Sequence, residues 1–567
     1  MALRNLLRID LTGGKVNSEE LGEKYRDKGG RALTSFLINE EVDPQCDPLG
    51  ENNKMVFAAG LLGGSGCSSL GRLSAGAKSP LTGGIKEANS GGVFAAMLAR
   101  SGYRALVFEG LPSDNAWKVL VIDGDKAYLE SAEGLENRGV LDSFRILKDK
   151  YGDKIGMIAL GQAGEQELPA AAIMASDPFD HARALARGGL GAVMGSKKIK
   201  AMVVKDNRGA ESPVVDQEKL KELRKKYNNQ VLEDPRLENR KQYGTAAIVN
   251  PVNAMGALPT YSFSKGSYEN VDNITGEALH DTIVAREGKG KVSAPCMRGC
   301  LISCGNAYPD HKGEVLVSTL QYETIGMLGS NCGMKNLDDI ALLNKMCNDY
   351  GLDTIETGAT LGILMDEGVI EFGDVEAAAD VLRQVAQGTA LGKIVGSGAL
   401  VTGKVYGSSR IPVGRNQAIP AYDPRALKGN GVTYITSPMG ADHTAGNCFG
   451  ARNKVDPLGQ GEQVELSKGL QEDMGIVDLL GACLFARTPV FADLDLMADI
   501  ANAMHGLNLK GEDLKELSRE TLRVESEFNK KAGLTTTRYP EFMYQEQLPP
   551  HETTFDVPQE EIDSLEF

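Results

Sequence analysis

The 567-residue chain has no positive charge to spare: 61 Lys and Arg stand against 77 Asp and Glu, for a net charge of −16. That deficit argues against binding a nucleic-acid backbone, where affinity rests on surplus cation. No run of 18 apolar residues occurs, so no membrane span is expected. Asp10 interrupts the opening MALRNLLRIDLTGGK where a secretion signal needs an unbroken apolar core, so a cytoplasmic location is expected. Histidine is scarce, at six residues. Cysteine numbers nine, an odd count that, without a secretion signal, disfavours a disulfide framework and favours metal or redox chemistry. The placement is uneven. Cys296, Cys300 and Cys304 lie close together, while Cys46, Cys67, Cys332, Cys347, Cys448 and Cys483 are scattered.

What is present in quantity is apolar residue, 42%, enough for several cores in about two to four domains. Glycine is also plentiful, and clusters at 59–67, 83–92 and 188–195. The first two hundred residues read as strands and turns. Residues 117–122, Asp123-Gly124 and 127–129 carry a hairpin signature; 155–160 and 201–204 are further strands, and a helix is expected over 91–100. From about residue 213 the pattern turns helical, beginning with 216–229. Residues 338–350 place Ile340, Leu342, Leu343, Met346, Cys347 and Tyr350 at helical spacing, with Gly351 set to end the helix. Asp353 then reads as the N-cap of the next helix, with Glu356 completing a capping box. Helices are expected over 374–388, 463–480 and 512–531, and the Pro- and Glu-rich last twenty residues are expected to wrap the surface. The predicted fold class is α+β: a β-rich N-terminal domain over 1–210, then two mainly helical domains over 211–410 and 411–567.

Four features bear on chemistry. Cys296, Cys300 and Cys304 suit a soft metal or an iron–sulfur cluster, whose fourth thiolate can come from afar. The alternative is three core cysteines on one helix face. Zinc lacks a second ligand pair at finger spacing, and the gaps do not match the radical-SAM pattern. The stretch from Gly71-Arg72 through Lys78, Gly83 and Asn89 to Gly91-Gly92, and the stretch Arg187-Gly188-Gly189 to Lys197, are candidate anion sites, or else Gly-rich turns. Glu323, before an apolar Gly-containing segment, and His443, in a Gly- and Pro-marked loop, are candidate acid–base groups. Finally, Asn348-Asp-Tyr-Gly351-Leu-Asp353 echoes Asp478-Leu-Leu-Gly481-Ala-Cys483. Each is a polar residue at a helix end, a glycine three residues on, and a polar or thiol residue two beyond that.

In their order and spacing these pieces resemble the tungsten-containing aldehyde:ferredoxin oxidoreductases. The likeness runs from Asn5-Leu-Leu-Arg-Ile-Asp-Leu-Thr through the Lys78–Gly92 and Arg187–Lys197 stretches, Tyr322-Glu323-Thr324, both Gly-centred motifs and the cysteine cluster. It covers nearly the whole chain. The resemblance implies one tungsten or molybdenum ion held between two pterins at the domain junction, with magnesium bridging the pterin phosphates. By residue, it implies phosphate and pterin contacts at Arg72, Asn89, Gly91, Arg187 and Gly188, with the Asn89 and Gly188 carbonyls on magnesium. Asn348, Leu352 and Asp353 would hold one pterin, and Asp478, Ala482 and Cys483 the other. Cys483 would also join Cys296, Cys300 and Cys304 on a 4Fe–4S cluster. The implied reaction oxidises a small aldehyde to its carboxylic acid, with electrons passed to ferredoxin or a ferredoxin-like subunit, in a homo-oligomer or a complex. Glu323 would be the general base, with a raised pKa, and His443 would hydrogen-bond the reacting oxygen. A reductive relative such as the catalytic subunit of an aromatic acyl-CoA reductase, and a non-catalytic electron-transfer subunit, are the alternatives.

The chain also departs from the family pattern. The gap between Cys296 and Cys300 is three residues where two is commoner, and Asn348 stands where Asp is frequent, with Asp349 beside it as a substitute. The Glu-x-x-His pair that some members place between subunits is not seen; Leu342-Leu-Asn-Lys345 occupies that region, so no interfacial metal is expected.

Overall fold

Short, largely apolar runs in the N-terminal part build two six-stranded sheets whose central strands are buried along most of their length. The structure, a computed structural model, describes residues 5–206 and 213–567. The first sheet comprises β1 (Asn5–Asp10), β2 (Lys15–Glu20), β3 (Met55–Ala59), β4 (Leu73–Lys78), β5 (Ile85–Ser90) and β6 (Tyr103–Glu109), in the order β2-β1-β6-β3-β4-β5. The second comprises β7 (Lys118–Asp123), β8 (Lys126–Ser131), β9 (Ile155–Ala159), β10 (Ile173–Ser176), β11 (Ala182–Leu185) and β12 (Ile199–Lys205), in the order β11-β10-β9-β12-β7-β8. Within these two sheets, among the described residues, only β1–β6 and β7–β12 pair in parallel. The period of two sends successive side chains to opposite faces, and a packed layer covers each face. On β7, Leu120 and Ile122 enter the core shared by the two sheets, while Val119 and Val121 face a separate layer with Phe144 and Leu147.

The expected hairpin forms as β7 and β8, turning at Gly124-Asp125 rather than Asp123-Gly124, because Asp123 pairs with Lys126. The reading of this region as strands and turns omits several helices, two of them of twelve residues. Gly30–Glu41 packs Leu33, Leu37 and Ile38 under the first sheet, and Val140–Tyr151 packs Phe144 and Leu147 under the second. The helix expected over 91–100 forms as Phe94–Arg100, between the sheets.

Helices dominate from Gln217–Leu232 onward. Leu337–Tyr350 begins at an Asn336 cap and ends at Gly351, whose φ of +73° is the left-handed conformation that glycine adopts without a Cβ penalty. Asp353 caps Thr354–Asp366 by accepting the Ile355 N–H at 2.9 Å. The expected capping box does not form. Glu356 turns inward, fully buried, and its two oxygens accept the backbone N–H groups of Ala399 and Ala418 at 2.9 Å each. Val375–Gln387, Gln463–Leu480 and Gly511–Lys531 complete the expected set. A three-stranded sheet of Lys291–Ala294, Gly305–Pro309 and Val315–Val317, not expected, flanks the cysteine cluster. The tail does more than wrap the surface: Leu548, Phe555, Val557 and Ile562 are buried, and the Phe555 ring packs edge-on against Tyr539. Among the described residues no single helix is long and apolar enough to cross a membrane.

Candidate active site

The two Gly-centred motifs occupy equivalent places in space. Gly351 and Gly481 both end their helices with left-handed φ, +73° and +71°. The Gly351 carbonyl accepts the Ala172 N–H at 2.8 Å, and the Gly481 carbonyl accepts the Arg72 N–H at 3.0 Å. Two residues on, Asp353 N–H donates to the Ala170 carbonyl at 3.0 Å and Cys483 N–H donates to the Ser69 carbonyl at 2.8 Å. Each helix end also meets a glycine just past a central strand. A Cβ on Gly161, after β9, would lie 2.2 Å from the Tyr350 carbonyl carbon; one on Gly60, after β3, would lie 2.2 Å from the Gly481 Cα. One motif is thus docked backbone-to-backbone on each sheet, and the sequence echo is a repeat in geometry.

Between the two docked helix ends lies a cavity of about 280 Å³. Its wall includes Arg72, Asn89, Gly91, Arg187, Asn348, Leu352, Asp353, Asp478, Ala482 and Cys483, together with Glu323, His443, Cys296 and Cys304. Gly188 and Cys300 are not at the wall. Gly188 sits behind it because the Ser79 hydroxyl holds its carbonyl at 2.6 Å, and the Asn89 carbonyl accepts Arg72 Nη2 at 2.7 Å. Asp349 turns away to cap the Val140–Tyr151 helix, accepting the Leu141 N–H at 3.0 Å, which leaves Asn348 as the cavity residue. The wall also contains residues that the sequence reading did not single out: Glu87, Arg183 and Asp442. Asp442 had a usable signal, its place beside His443; Glu87 and Arg183 sit on strands with nothing local to mark them.

Glu323 and His443 face each other. Glu323 Oε2 accepts the Ala421 N–H at 2.7 Å, while Oε1 is buried with no hydrogen-bond partner and lies 3.7 Å from His443 Nε2. Burial pushes the Glu323 carboxyl above its ordinary pKa, and His443 and the Ala421 N–H only partly oppose it. Asp442 behaves oppositely. Burial would raise its pKa, but the Lys86 ammonium, 2.8 Å from Oδ2, with His443 and Arg187 nearby, holds it far below the carboxylate range. Arg187 ties the wall together: Nη1 donates to Asp353 at 2.9 Å, and Nη2 to the carbonyls of Ala418 and Ala441 at 2.5 and 2.6 Å. Its Nε is buried without a partner.

The segment 296–304 is a loop, not a helix, so the cysteines do not share a helix face. Cys300, Cys304 and Cys483 pack on one core cluster, and Cys300 Sγ is 3.3 Å from Ser69 Oγ. Burial raises the pKa of Cys296 to about 12, with the charges of Cys300 and Cys483 adding to it. Cys304 is raised by burial and by the other three. Yet among the described residues no three His, Cys, Asp or Glu side chains converge as ligands of one ion. Soft thiol donors grouped in one region, three of them packed on one core, are the donor chemistry that an iron–sulfur cluster would need.

Comparison with known proteins fits this architecture. The family model described as the aldehyde ferredoxin oxidoreductase N-terminal domain matches residues 6–206, and that of domains 2 and 3 matches 222–565. The tungsten-containing aldehyde ferredoxin oxidoreductase of Thermococcus kodakarensis is 33% identical over 555 residues, 93% of this chain and 88% of that protein. The corresponding Pyrococcus furiosus protein is 31% identical, over 94% of this chain and 89% of its own. A solved structure, the active site complex BamBC of benzoyl coenzyme A reductase, shares the fold with a TM-score of 0.78 at 18% identity, over 99% of this chain and 92% of that one. With both parts of the chain matched in order and nearly its full length aligned, it belongs to the aldehyde ferredoxin oxidoreductase family.

Proposed function

We propose that this oxidoreductase converts a small aldehyde and water to a carboxylic acid, two electrons and two protons, the electrons leaving through a 4Fe–4S cluster to ferredoxin or a ferredoxin-like subunit. The family implies a tungsten or molybdenum pterin, which when bound supplies a two-electron acceptor beside the substrate. Asn348, Leu352 and Asp353 would hold one pterin, and Asp478, Ala482 and Cys483 the other. Arg72, Asn89, Gly91 and Arg187 would hold the phosphate ends; for magnesium to reach the Asn89 and Gly188 carbonyls, each would have to accept it beside or in place of the Arg72 and Ser79 donors that hold them here. Cys296, Cys300, Cys304 and Cys483 would hold the cluster.

The observation that carries the reading is the free Glu323 Oε1 on the cavity wall, 3.7 Å from His443 Nε2. The Ala421 N–H fixes one oxygen of the carboxylate, so the other is oriented to take a proton from the attacking water. A carboxyl whose pKa is raised by burial is the stronger base for that task. His443 is placed to hydrogen-bond the substrate oxygen as negative charge develops on it. Glu323 is buried while the His443 side chain stays 22% exposed, so the carboxyl is the more shielded of the two groups.

The test is anaerobic purification, metal analysis, and assay of aldehydes against aryl-CoA thioesters with a viologen or ferredoxin as redox partner. Glu323→Gln is expected to keep its metals and lose aldehyde turnover. Normal activity in that variant, or aryl-CoA reduction without aldehyde oxidation, would overturn the assignment.

A further inference from the structure

The Gln217–Leu232 helix presses Leu220, Leu223, Tyr227 and Val231 onto the core that includes Cys67, Cys300, Cys304 and Cys483. Tyr227 is fully buried, and its hydroxyl has no hydrogen-bond partner among the described residues. Leaving such a group unsatisfied costs about 1–3 kcal/mol. Native structures rarely tolerate that unless the group meets something else.

Its surroundings say what that is. The next residue, Asn228, accepts the Ser68 N–H at 3.0 Å, and Ser68 Oγ accepts the Leu301 N–H at 2.9 Å. Ser69 then touches both halves of the cysteine set: its hydroxyl lies 3.3 Å from Cys300 Sγ, and its carbonyl accepts the Cys483 N–H at 2.8 Å. The helix is therefore stitched to the loops that carry the thiols. The phenol is buried in the same core as these thiols, and its O–H is a donor with nothing to donate to among the described residues.

We propose that the Tyr227 hydroxyl donates a hydrogen bond to a sulfur of the 4Fe–4S cluster on its Cys300 and Cys483 side, and thereby raises the cluster's reduction potential. A donor to sulfur favours the reduced, more negative cluster. The proposal rests on the reading of the four thiols as cluster ligands.

Anaerobic redox titration followed by electron paramagnetic resonance of the reduced cluster tests it. Tyr227→Phe removes only the hydroxyl, and its midpoint is expected to fall. At a fixed poise the reduced-to-oxidised ratio should drop about tenfold, ~59 mV for a one-electron couple. Placing 3-fluorotyrosine at 227 strengthens the donor and should move the midpoint upward, opposite shifts that a packing role would not produce. An intact cluster whose potential does not move, or moves the other way, overturns the role of Tyr227 alone. A wild-type protein without a cluster overturns the ligand assignment beneath it. Should the Phe variant fail to load, the fluorotyrosine protein decides.

Discussion

A methyl group at position 91 would separate a cluster ligand from a bystander. A Cβ built on Gly91 lies 2.8 Å from Cys296 Sγ and 3.3 Å from Met297 Cγ. Non-bonded contact with carbon needs about 3.5–4.0 Å, so the sulfur must retreat by about 1 Å in Gly91→Ala. A free thiol can yield by turning about one bond, which costs about 0.5–1.5 kcal/mol even off its preferred rotamer. Metal-bound sulfur has far less freedom, since ligand distances are held within about 0.2 Å. The expected result is a folded variant whose iron content, reduced-cluster spectrum and thermal midpoint fall to those of Cys296→Ser. The assay is iron per chain beside electron paramagnetic resonance, with wild type, Gly91→Ala and Cys296→Ser prepared together. Wild-type iron and an unaltered spectrum in Gly91→Ala would refute the reasoning. Cys296 is the proposed ligand to test this way because its three-residue gap to Cys300 is a departure from the family's commoner spacing.

Two further outcomes follow from buried carboxyls. Glu323 must be ionised to act as a base, and burial raises its pKa, so kcat/KM should fall as pH drops through a value above the ordinary 4.5; an acid limb at or below 4.5 would contradict the burial argument. Glu356→Gln replaces one of two accepting oxygens with an NH2 that faces a backbone N–H, at Ala399 or Ala418. It should cost about 1–3 kcal/mol, seen as a lower thermal midpoint at fixed scan rate, and an unchanged midpoint would mean that the carboxylate does not bridge those segments.

Much of the site was legible because its signals are local. The helix-ending glycines announce themselves by period and position, and the echo between 348–353 and 478–483 needed no more than side-by-side reading. Helix caps at Asp216, Asp353 and Asp374 form where short polar side chains precede apolar periodicity. What was missed depends on tertiary context. Glu356 satisfies the spacing of a capping box, yet two backbone donors from distant segments claim its carboxylate. Gly188 belongs to a glycine-rich run, yet one hydroxyl on a neighbouring loop turns its carbonyl away from the cavity. Glu87 reaches the wall from β5, a strand buried along nearly its whole length, where no one-dimensional pattern separates lining from packing. The helix Gly30–Glu41 was hidden by its Gly29-Gly30 start, and Phe555 by a tail whose composition suggests solvent.

The docking of Gly351 on Gly161 and of Gly481 on Gly60 has a bearing on biogenesis. The platform is complete by Lys205, but the two helices that roof it arrive about 130 and 260 residues later in the chain, ending at Tyr350 and Leu480. Until the second is seated, the cavity is open along one side and Cys483 stands apart from its fellow thiols. A prosthetic group held between the two helix ends would not be enclosed until the second of them, ending at Leu480, is in place.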